Sequence, residues 1–155
     1  MGLLNGKTGL IVGIANERSY ATHIAKALVD QGAQCAFTHL PGDRNAHRVT
    51  RAVQELGVAS PWLCPLDASD DAQIDALFAR YAESFDRMDF LVHSIAFADR
   101  EALRPGGFIN TTRAQYLQAI DISAYTLLAL AQRARPLMAR SGGGSIMCMS
   151  YYGAE

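Results

Sequence analysis

Short apolar segments alternate along this chain with longer segments of helical periodicity, and this alternation limits the possible folds more than any other feature. None of the apolar segments alternates polar with apolar residues, so each is expected to be a strand that is covered on both faces. That pattern is typical of a parallel sheet enclosed between two layers of helices. The predicted strands are 8–12, 34–38, 61–66, 89–94 and 145–149.

Segments with helical periodicity lie between these strands, so consecutive strands are expected to be joined by crossovers that contain a helix. The sequence therefore predicts a doubly wound, Rossmann-like α/β fold, with parallel strands in the order 3-2-1-4-5. The predicted helices are 19–31, 44–56, one that begins at 69, and 112–139.

Two of the helices carry features that a structure can test individually. Thr112 and Gln115 have the spacing of a capping box at the start of the fourth helix. In the third and fourth helices, apolar residues recur at helical spacing and are expected to face the core. These residues are Ile74, Leu77, Phe78 and Tyr81 in the third helix, and Tyr116, Ile120, Leu127 and Leu128 in the fourth.

The composition fits one domain over residues 1–155, because half of the residues are apolar and can bury a core. The net charge of -1 gives no general attraction to nucleic acid or to an anionic membrane surface. No apolar segment approaches the ~20 residues that a membrane span needs. The first residues lack the features of a signal peptide, so a cytoplasmic protein is expected.

The cysteines and histidines do not indicate a metal site. The sequence has three cysteines and no CxxC pair, which favours neither a disulfide framework nor a zinc site. The four histidines are scattered without the spacing of metal ligands. Cys35, Cys64 and Cys148 each lie in an apolar segment and are expected to be buried.

The loop between the first strand and the first helix has features of a pyrophosphate site. Gly13 follows the strand and is expected to allow a phosphate to approach the backbone closely. Ser19 begins the helix, where a hydroxyl can cap the helix or bond a phosphate oxygen. The loop does not contain the GxGxxG pattern, so an ordinary glycine turn with an N-cap serine is the alternative.

The ends of the second and third strands indicate an adenosine site with an undecided cofactor preference. Where dinucleotide-binding proteins usually carry an acid for the ribose, this chain has Leu40. Arg44 follows and could face a 2′-phosphate, so NADH and NADPH both stay open. Asp67 could accept a hydrogen bond from the adenine amino group, with Ala68 against the ring; capping of the next helix is the alternative role of Asp67.

The ends of the fourth and fifth strands could carry the reaction. Small residues follow His93, and they would let a ribose pass close to the backbone. His93 itself is more typical of a packed histidine than of a catalyst. The Tyr151 hydroxyl, at the end of the fifth strand, could polarise a carbonyl or donate a proton, although an aromatic ring that covers the end of the sheet is the alternative.

Taken together, these segments resemble one known family. The sequence is similar to the NADH-dependent enoyl-acyl-carrier-protein reductases of bacterial type II fatty-acid synthesis, a divergent branch of the short-chain dehydrogenase/reductases. An NADPH-dependent carbonyl reductase of the same superfamily is the alternative, but the Asn-Ala-Gly that such enzymes carry after the fourth strand is missing. The resemblance rests on Gly6-Lys7, Gly13-Ile14-Ala15-Asn16 with Ser19, Ala36-Phe37-Thr38, and the segments 93–98, 121–125 and 150–155.

The resemblance implies hydride transfer from NADH to the C=C bond of an enoyl thioester on acyl carrier protein or coenzyme A. It also implies a homo-oligomer, in this family a tetramer. Residue by residue, it implies that Gly13, Ser19 and Tyr20 contact the cofactor phosphates and ribose. It implies that Leu40 lies at the adenosine ribose, Asp67 and Ala68 at the adenine, and Ile95 at the nicotinamide ribose. It also implies that Ala98 contacts the acyl substrate and that Tyr151 is catalytic.

The resemblance further implies that a second site tyrosine and a lysine lie beyond residue 155. On this basis the chain is expected to be the N-terminal portion of a reductase, with its sheet truncated after the fifth strand. That strand is expected to be an exposed edge. The chain alone is expected not to reduce enoyl thioesters, and a non-catalytic nucleotide-binding fragment is the alternative.

Overall fold

Across residues 2–152, the computed structural model forms a five-stranded parallel sheet with helices on both faces. The strands lie in the order β3-β2-β1-β4-β5, and every neighbouring pair is parallel. The predicted fold and strand order are therefore confirmed. The strands are β1 (Thr8–Val12), β2 (Gln34–His39), β3 (Trp62–Pro65), β4 (Phe90–His93) and β5 (Ser145–Cys148).

Helices occupy each crossover between the strands. On one face of the sheet α1 and α2 cover the core, and on the other face α3 and α5 do so. A π-helical turn, Asp121–Tyr125, joins α4 to α5 without a break in the helical path. The helices are α1 (Tyr20–Asp30), α2 (Asp43–Gln54), α3 (Asp71–Ser84), α4 (Arg113–Ile120) and α5 (Thr126–Arg140), with a short 3₁₀ turn, Phe108–Asn110, before α4.

Capping side chains determine where two of the helices begin. The predicted capping box is confirmed, because Thr112 Oγ1 accepts the Gln115 N–H and Gln115 Oε1 accepts the Thr112 N–H. The third helix was expected to begin at Ser69, but α3 begins at Asp71. The carboxylate of Asp70 accepts the Ala72 N–H at 2.9 Å and therefore caps the helix at this later position.

The core has two layers because the strands are apolar on both faces. Leu10 and Val12 of β1 face the layer under α3 and α5, whereas Ile11 faces the layer under α1 and α2. The inward stripe that was predicted for the third helix is confirmed, since all of its members are buried. They are Ile74, Leu77, Phe78 and Tyr81.

The inward face predicted for the fourth helix is wrong. Tyr116, Ile120 and Leu128 are 60%, 48% and 53% exposed, and Leu127 is partly buried. Tyr116 and Ile120 lie in α4, which buries none of its residues. The π-turn that follows holds one residue more than an α-turn, so Leu127 and Leu128 do not continue the face of α4 as they would in one continuous α-helix. The residues of α5 that do face the core are Thr126, Ala129, Leu130, Ala134, Leu137 and Met138.

The fifth strand is an exposed edge, as expected. Ile146 and Met147 of β5 are 45% and 49% exposed. Cys148 is exposed as well, so its predicted burial is wrong, because the strand lies at the edge and nothing among the described residues covers it.

Cys35 and Cys64 are buried as predicted, and burial raises the pKa of both thiols, to about 12 for Cys35. Among the helices of residues 2–152, none is both long and apolar enough to cross a bilayer.

Asp89 holds the amino-terminal edge of the sheet together. Its side chain is only 7% exposed and accepts hydrogen bonds from Lys7 Nζ at 2.8 Å and from the Thr8 N–H at 2.9 Å. Its backbone bonds to Thr8 on one side and to Ser145 on the other. Burial alone would raise the pKa of Asp89, but these hydrogen bonds and the charges of Lys7 and Arg87 outweigh it, so the pKa is lowered.

We expect Asp89→Asn to lower the free energy of unfolding by about 2 kcal/mol at pH 7, because it removes a buried charged acceptor. The folded-state pKa lies below the unfolded value of about 3.9, so the carboxylate stabilises the fold fully above that value. This stabilisation is lost as the pH falls through the folded-state pKa. Urea unfolding at pH 7 and pH 3 should therefore show a smaller difference between the two proteins at the lower pH.

The control for this experiment is Asp30→Asn. Asp30 pairs with Lys26 at 2.7 Å within α1, but both side chains are more than half exposed. An exposed pair of this kind contributes about 0.5 kcal/mol or less, so the control should unfold almost as the unsubstituted protein does. Equal effects of the two substitutions would contradict the role given to Asp89.

Candidate functional site

The carboxyl ends of the parallel strands lie along one edge of the sheet, and the predicted site residues follow these ends. In spatial order they come after β3, β2, β1, β4 and β5. Adjacent strands lie about 4.8 Å apart, so the five ends extend over about 19 Å. Along this edge the residues are, in order, Asp67 with Ala68, Leu40, Gly13 with Ser19, Ile95, and Tyr151.

Ser19 organises the loop between β1 and α1. Its hydroxyl oxygen accepts the N–H groups of Ala15 at 3.0 Å and of Asn16 at 3.1 Å. Ser19 is the N-cap residue of α1, but its side chain makes no capping hydrogen bond to the helix. The prediction that the Ser19 side chain caps the helix is therefore wrong, and binding of a phosphate oxygen is the role that stays open. Its O–H hydrogen stays available to donate towards a ligand.

The amino terminus of α1 presents donors next to this hydroxyl. The N–H groups of Tyr20 and Ala21 have no acceptor among residues 2–152. The first N–H groups of a helix carry partial positive charge, which favours an anion at this position. The Tyr20 side chain is exposed beside them. This part of the edge is therefore suited to a phosphate group.

Gly13 is required for packing within the protein. Its φ is +103°, and a Cβ at this position would overlap the carbonyl group of Ser94. The space next to Gly13 is thus filled by the backbone after β4. The reason predicted for Gly13, that the missing side chain makes room for a phosphate, is therefore wrong, because the Ser94 carbonyl group occupies that space. The glycine lets the first loop lie directly against the neighbouring strand end.

The adenosine end of the edge combines an apolar side chain with a carboxylate. Leu40 is exposed at the end of β2, and its carbonyl accepts a hydrogen bond from His39 Nδ1 at 2.8 Å. Asp67 Oδ1 accepts both the N–H and the hydroxyl of Ser69, which fixes the loop before α3. Asp67 therefore supports this loop but does not cap α3, and its second carboxylate oxygen has no partner among the described residues. Ala68 is buried against the core.

His93 is a packed residue. It is buried, and its Nε2 lies 2.8 Å from Thr126 Oγ1, which in turn donates to the Ile122 carbonyl at 2.7 Å. Because the threonine hydrogen is used in this way, His93 Nε2 is the donor. Burial lowers the pKa of His93, so the ring is neutral at pH 7. The neutral ring, hydrogen-bonded within the core, agrees with the packed role.

The segment after β4 is held by the π-turn. The Phe97 N–H donates to Ser123 Oγ at 3.0 Å, and the same hydroxyl donates to the Phe97 carbonyl at 3.1 Å. Ile95 is partly buried against the core, and Ala98 is half-buried. The sequence reasoning missed Ser123 as a member of the site. The only signal for it was that segment 121–125 belongs to the family resemblance.

Tyr151 lies beyond β5 and is 85% exposed. Its hydroxyl has no hydrogen-bond partner within residues 2–152, so neighbouring side chains of that range do not fix its direction. The same range contains no group of three or more His, Cys, Asp and Glu side chains that could bind a metal ion.

The comparison with protein families decides the assignment. A family model described as enoyl-(acyl carrier protein) reductase matches residues 13–155. The chain belongs to this family. A similar protein is the NADH enoyl-[acyl-carrier-protein] reductase 1 of Rhizobium meliloti, which is 45% identical over 99% of this chain. The corresponding reductase of Aquifex aeolicus is 42% identical over the whole chain. The chain spans 54% and 56% of the lengths of these two reductases.

Solved structures of enoyl-acyl-carrier-protein reductases share the fold. The enzyme from Anaplasma phagocytophilum, solved in complex with NAD, has a TM-score of 0.90 and 40% identity. This chain covers 56% of its length. The enzyme from Bacillus cereus, solved with NADP⁺ and an indole naphthyridinone, has a TM-score of 0.90 and 35% identity.

The close approach at Gly13 leads to a prediction. We expect Gly13→Ala to lower the free energy of unfolding by about 3 kcal/mol, from backbone strain and overlap with Ser94. Gly57→Ala is the matched control, because Gly57 has a φ of +88° and no described atom lies within 4 Å of a Cβ built there. The control should lose only about 1 kcal/mol, the cost of the left-handed backbone. Urea unfolding measures both, and equal losses would show that the contact with Ser94 is unimportant.

Proposed function

We propose that this chain provides the NADH-binding part of an enoyl-acyl-carrier-protein reductase. The observation that carries the proposal is the order of groups along the carboxyl edge of the sheet. A carboxylate lies at one end, the donors of α1 lie in the middle, and the small residues after β4 lie beyond them. This order matches the adenine, pyrophosphate and nicotinamide of an extended dinucleotide.

The residues present fit such a cofactor. The Ser19 hydroxyl and the N–H groups at the start of α1 would bind the pyrophosphate. The second oxygen of Asp67 would accept the adenine amino group, and Ala68 would lie near the ring. Leu40 would lie against the adenosine ribose through apolar contact alone. Ile95 would contact the nicotinamide ribose.

When bound, NADH supplies a hydride to the β-carbon of the enoyl thioester. Negative charge then develops on the thioester oxygen, and a hydrogen-bond donor directed at it lowers the barrier. Tyr151, beyond the end of β5, would provide such a donor. Ala98 would contact the acyl chain, which the substrate carries on acyl carrier protein or coenzyme A. A cytoplasmic location is part of this proposal.

The choice between NADH and NADPH depends on the start of α2. Arg44 is exposed in the first turn of this helix, close in sequence to Leu40. Relatives from Rhizobium meliloti and Aquifex aeolicus are named as NADH enzymes, whereas the Bacillus cereus structure contains NADP⁺. Sequence identity is higher to the NADH enzymes, so the proposal is NADH.

Calorimetry with NADH and NADPH tests this proposal. We expect NADH to bind more tightly than NADPH, and Ser19→Ala to weaken NADH binding about tenfold through loss of a donor and of the loop contacts. Ser84→Ala is the control, because the Ser84 hydroxyl accepts from Trp62 Nε1 at 2.9 Å, away from the carboxyl edge. No binding by the unsubstituted chain would contradict the proposal. Tighter NADPH binding that is lost in Arg44→Ala would contradict the choice of NADH.

The proposal includes a homo-oligomer, a tetramer by family resemblance. Its support in the structure is that α4 and α5 carry large apolar side chains on the surface: Tyr116, Leu117, Ile120 and Leu128 are each about half exposed or more. Exposed apolar side chains on successive helices favour an interaction surface.

Sedimentation velocity tests this part of the proposal. We expect the unsubstituted chain to associate and the double variant Ile120→Glu, Leu128→Glu to sediment as a monomer, because each carboxylate would be buried at the contact. Leu3→Glu is the control, since Leu3 is exposed near the amino terminus. Unchanged association of the double variant would exclude this face as the contact.

A further inference from the structure

Two side-chain contacts fix the segment that follows β4, one from Ser123 within the π-turn and one from Thr126, the residue after the turn. At the near end, His93 Nε2 donates to Thr126 Oγ1, the residue that follows the turn. At the far end, Phe97 is bonded to Ser123 inside the turn. Between them, the Ser94 N–H donates to the Val12 carbonyl at 3.0 Å and continues the β1–β4 ladder. The backbone between His93 and Phe97 is therefore held at three points.

The Ser123 hydroxyl makes two hydrogen bonds to the backbone of one distant residue. Its single hydroxyl accepts the N–H and donates to the C=O of the same residue, Phe97, which is 26 positions away in sequence. A serine hydroxyl has one hydrogen and two lone pairs, so it can satisfy both groups together. The orientation of both peptide planes at Phe97 is then determined by one side chain.

The π-turn allows this arrangement. Within a helix that otherwise runs from Arg113 to Arg140, Asp121–Tyr125 forms a wider turn. The Thr126 hydroxyl donates to the Ile122 carbonyl in this turn. Turns of this kind occur frequently at functional sites.

We propose that Ser123 is a positioning residue, whose hydroxyl holds the Ile95–Ala98 backbone against the nicotinamide half of the cofactor. The inference rests on the proposed function, because that function places Ile95 at the nicotinamide ribose and Ala98 at the acyl chain. Ser123 touches neither ligand and acts through Phe97. Its removal should affect the nicotinamide half of the site and leave the adenosine half unchanged.

Calorimetry with NADH and with ADP separates the two halves, because ADP lacks both the nicotinamide and its ribose. We expect Ser123→Ala to raise the Kd for NADH about tenfold, in line with the loss of two hydrogen bonds, and to change the Kd for ADP less than twofold. Ser123→Thr keeps the hydroxyl and should restore NADH binding. Ser84→Ala, which removes a distant hydroxyl contact, should change neither Kd.

Amide hydrogen exchange by NMR provides a readout that needs no ligand. In Ser123→Ala the Phe97 amide should exchange at least tenfold faster, while the Leu91 amide within β4 keeps its rate. Equal acceleration at both amides, or parallel weakening of NADH and ADP binding, would overturn the proposal, since Ser123 would then act on general stability. If the unsubstituted chain binds neither ligand, the proposed function fails and this inference fails with it. NADH binding that is unchanged in Ser123→Ala overturns the inference alone.

Discussion

The parallel pairing of β1 with β2 on one side and β4 on the other is the interaction on which the rest of the structure depends. Leu10, Ile11 and Val12 are fully buried at the centre of the sheet, with a helical layer on each face. Because all the strands run in one direction, their carboxyl ends meet at one edge. The groups that could bind a cofactor are brought together there by strand order, although they are far apart in sequence.

Each edge of the sheet is fixed by a different kind of contact. At the amino edge, Asp89 precedes β4 and bonds to both neighbouring strands: its buried carboxylate accepts the Thr8 N–H of β1, and its backbone carbonyl accepts the Ser145 N–H of β5. At the carboxyl edge, Gly13 brings the first loop into direct contact with the backbone of Ser94. The amino edge is thus held by a buried charged contact, whereas the carboxyl edge leaves the first N–H groups of α1 without an acceptor among residues 2–152.

The sheet could be predicted because buried parallel strands are short, continuous apolar segments, and these stand out in a single sequence from the helical segments between them. The prediction from sequence fails where contacts between residues distant in sequence determine the local structure. The π-turn changes which residues of the long helix face the core, and no periodicity within Tyr116–Leu128 reveals it. Cys148 lies in an apolar segment, yet the strand that carries it is an edge. The role of Gly13 and the contact of Ser123 with Phe97 depend on atoms that are distant in sequence.

The central claim is that a dinucleotide lies along the carboxyl edge of the sheet, with its pyrophosphate at α1. Mapping of amide chemical shifts during titration with NADH tests it most directly. The account predicts that the perturbed amides cluster at 13–21, 38–40, 67–69 and 94–98, while amides at the amino edge, such as those of Thr8 and Asp89, stay unchanged. Perturbations confined to the amino edge, or to the outer face of α4 and α5, would contradict it.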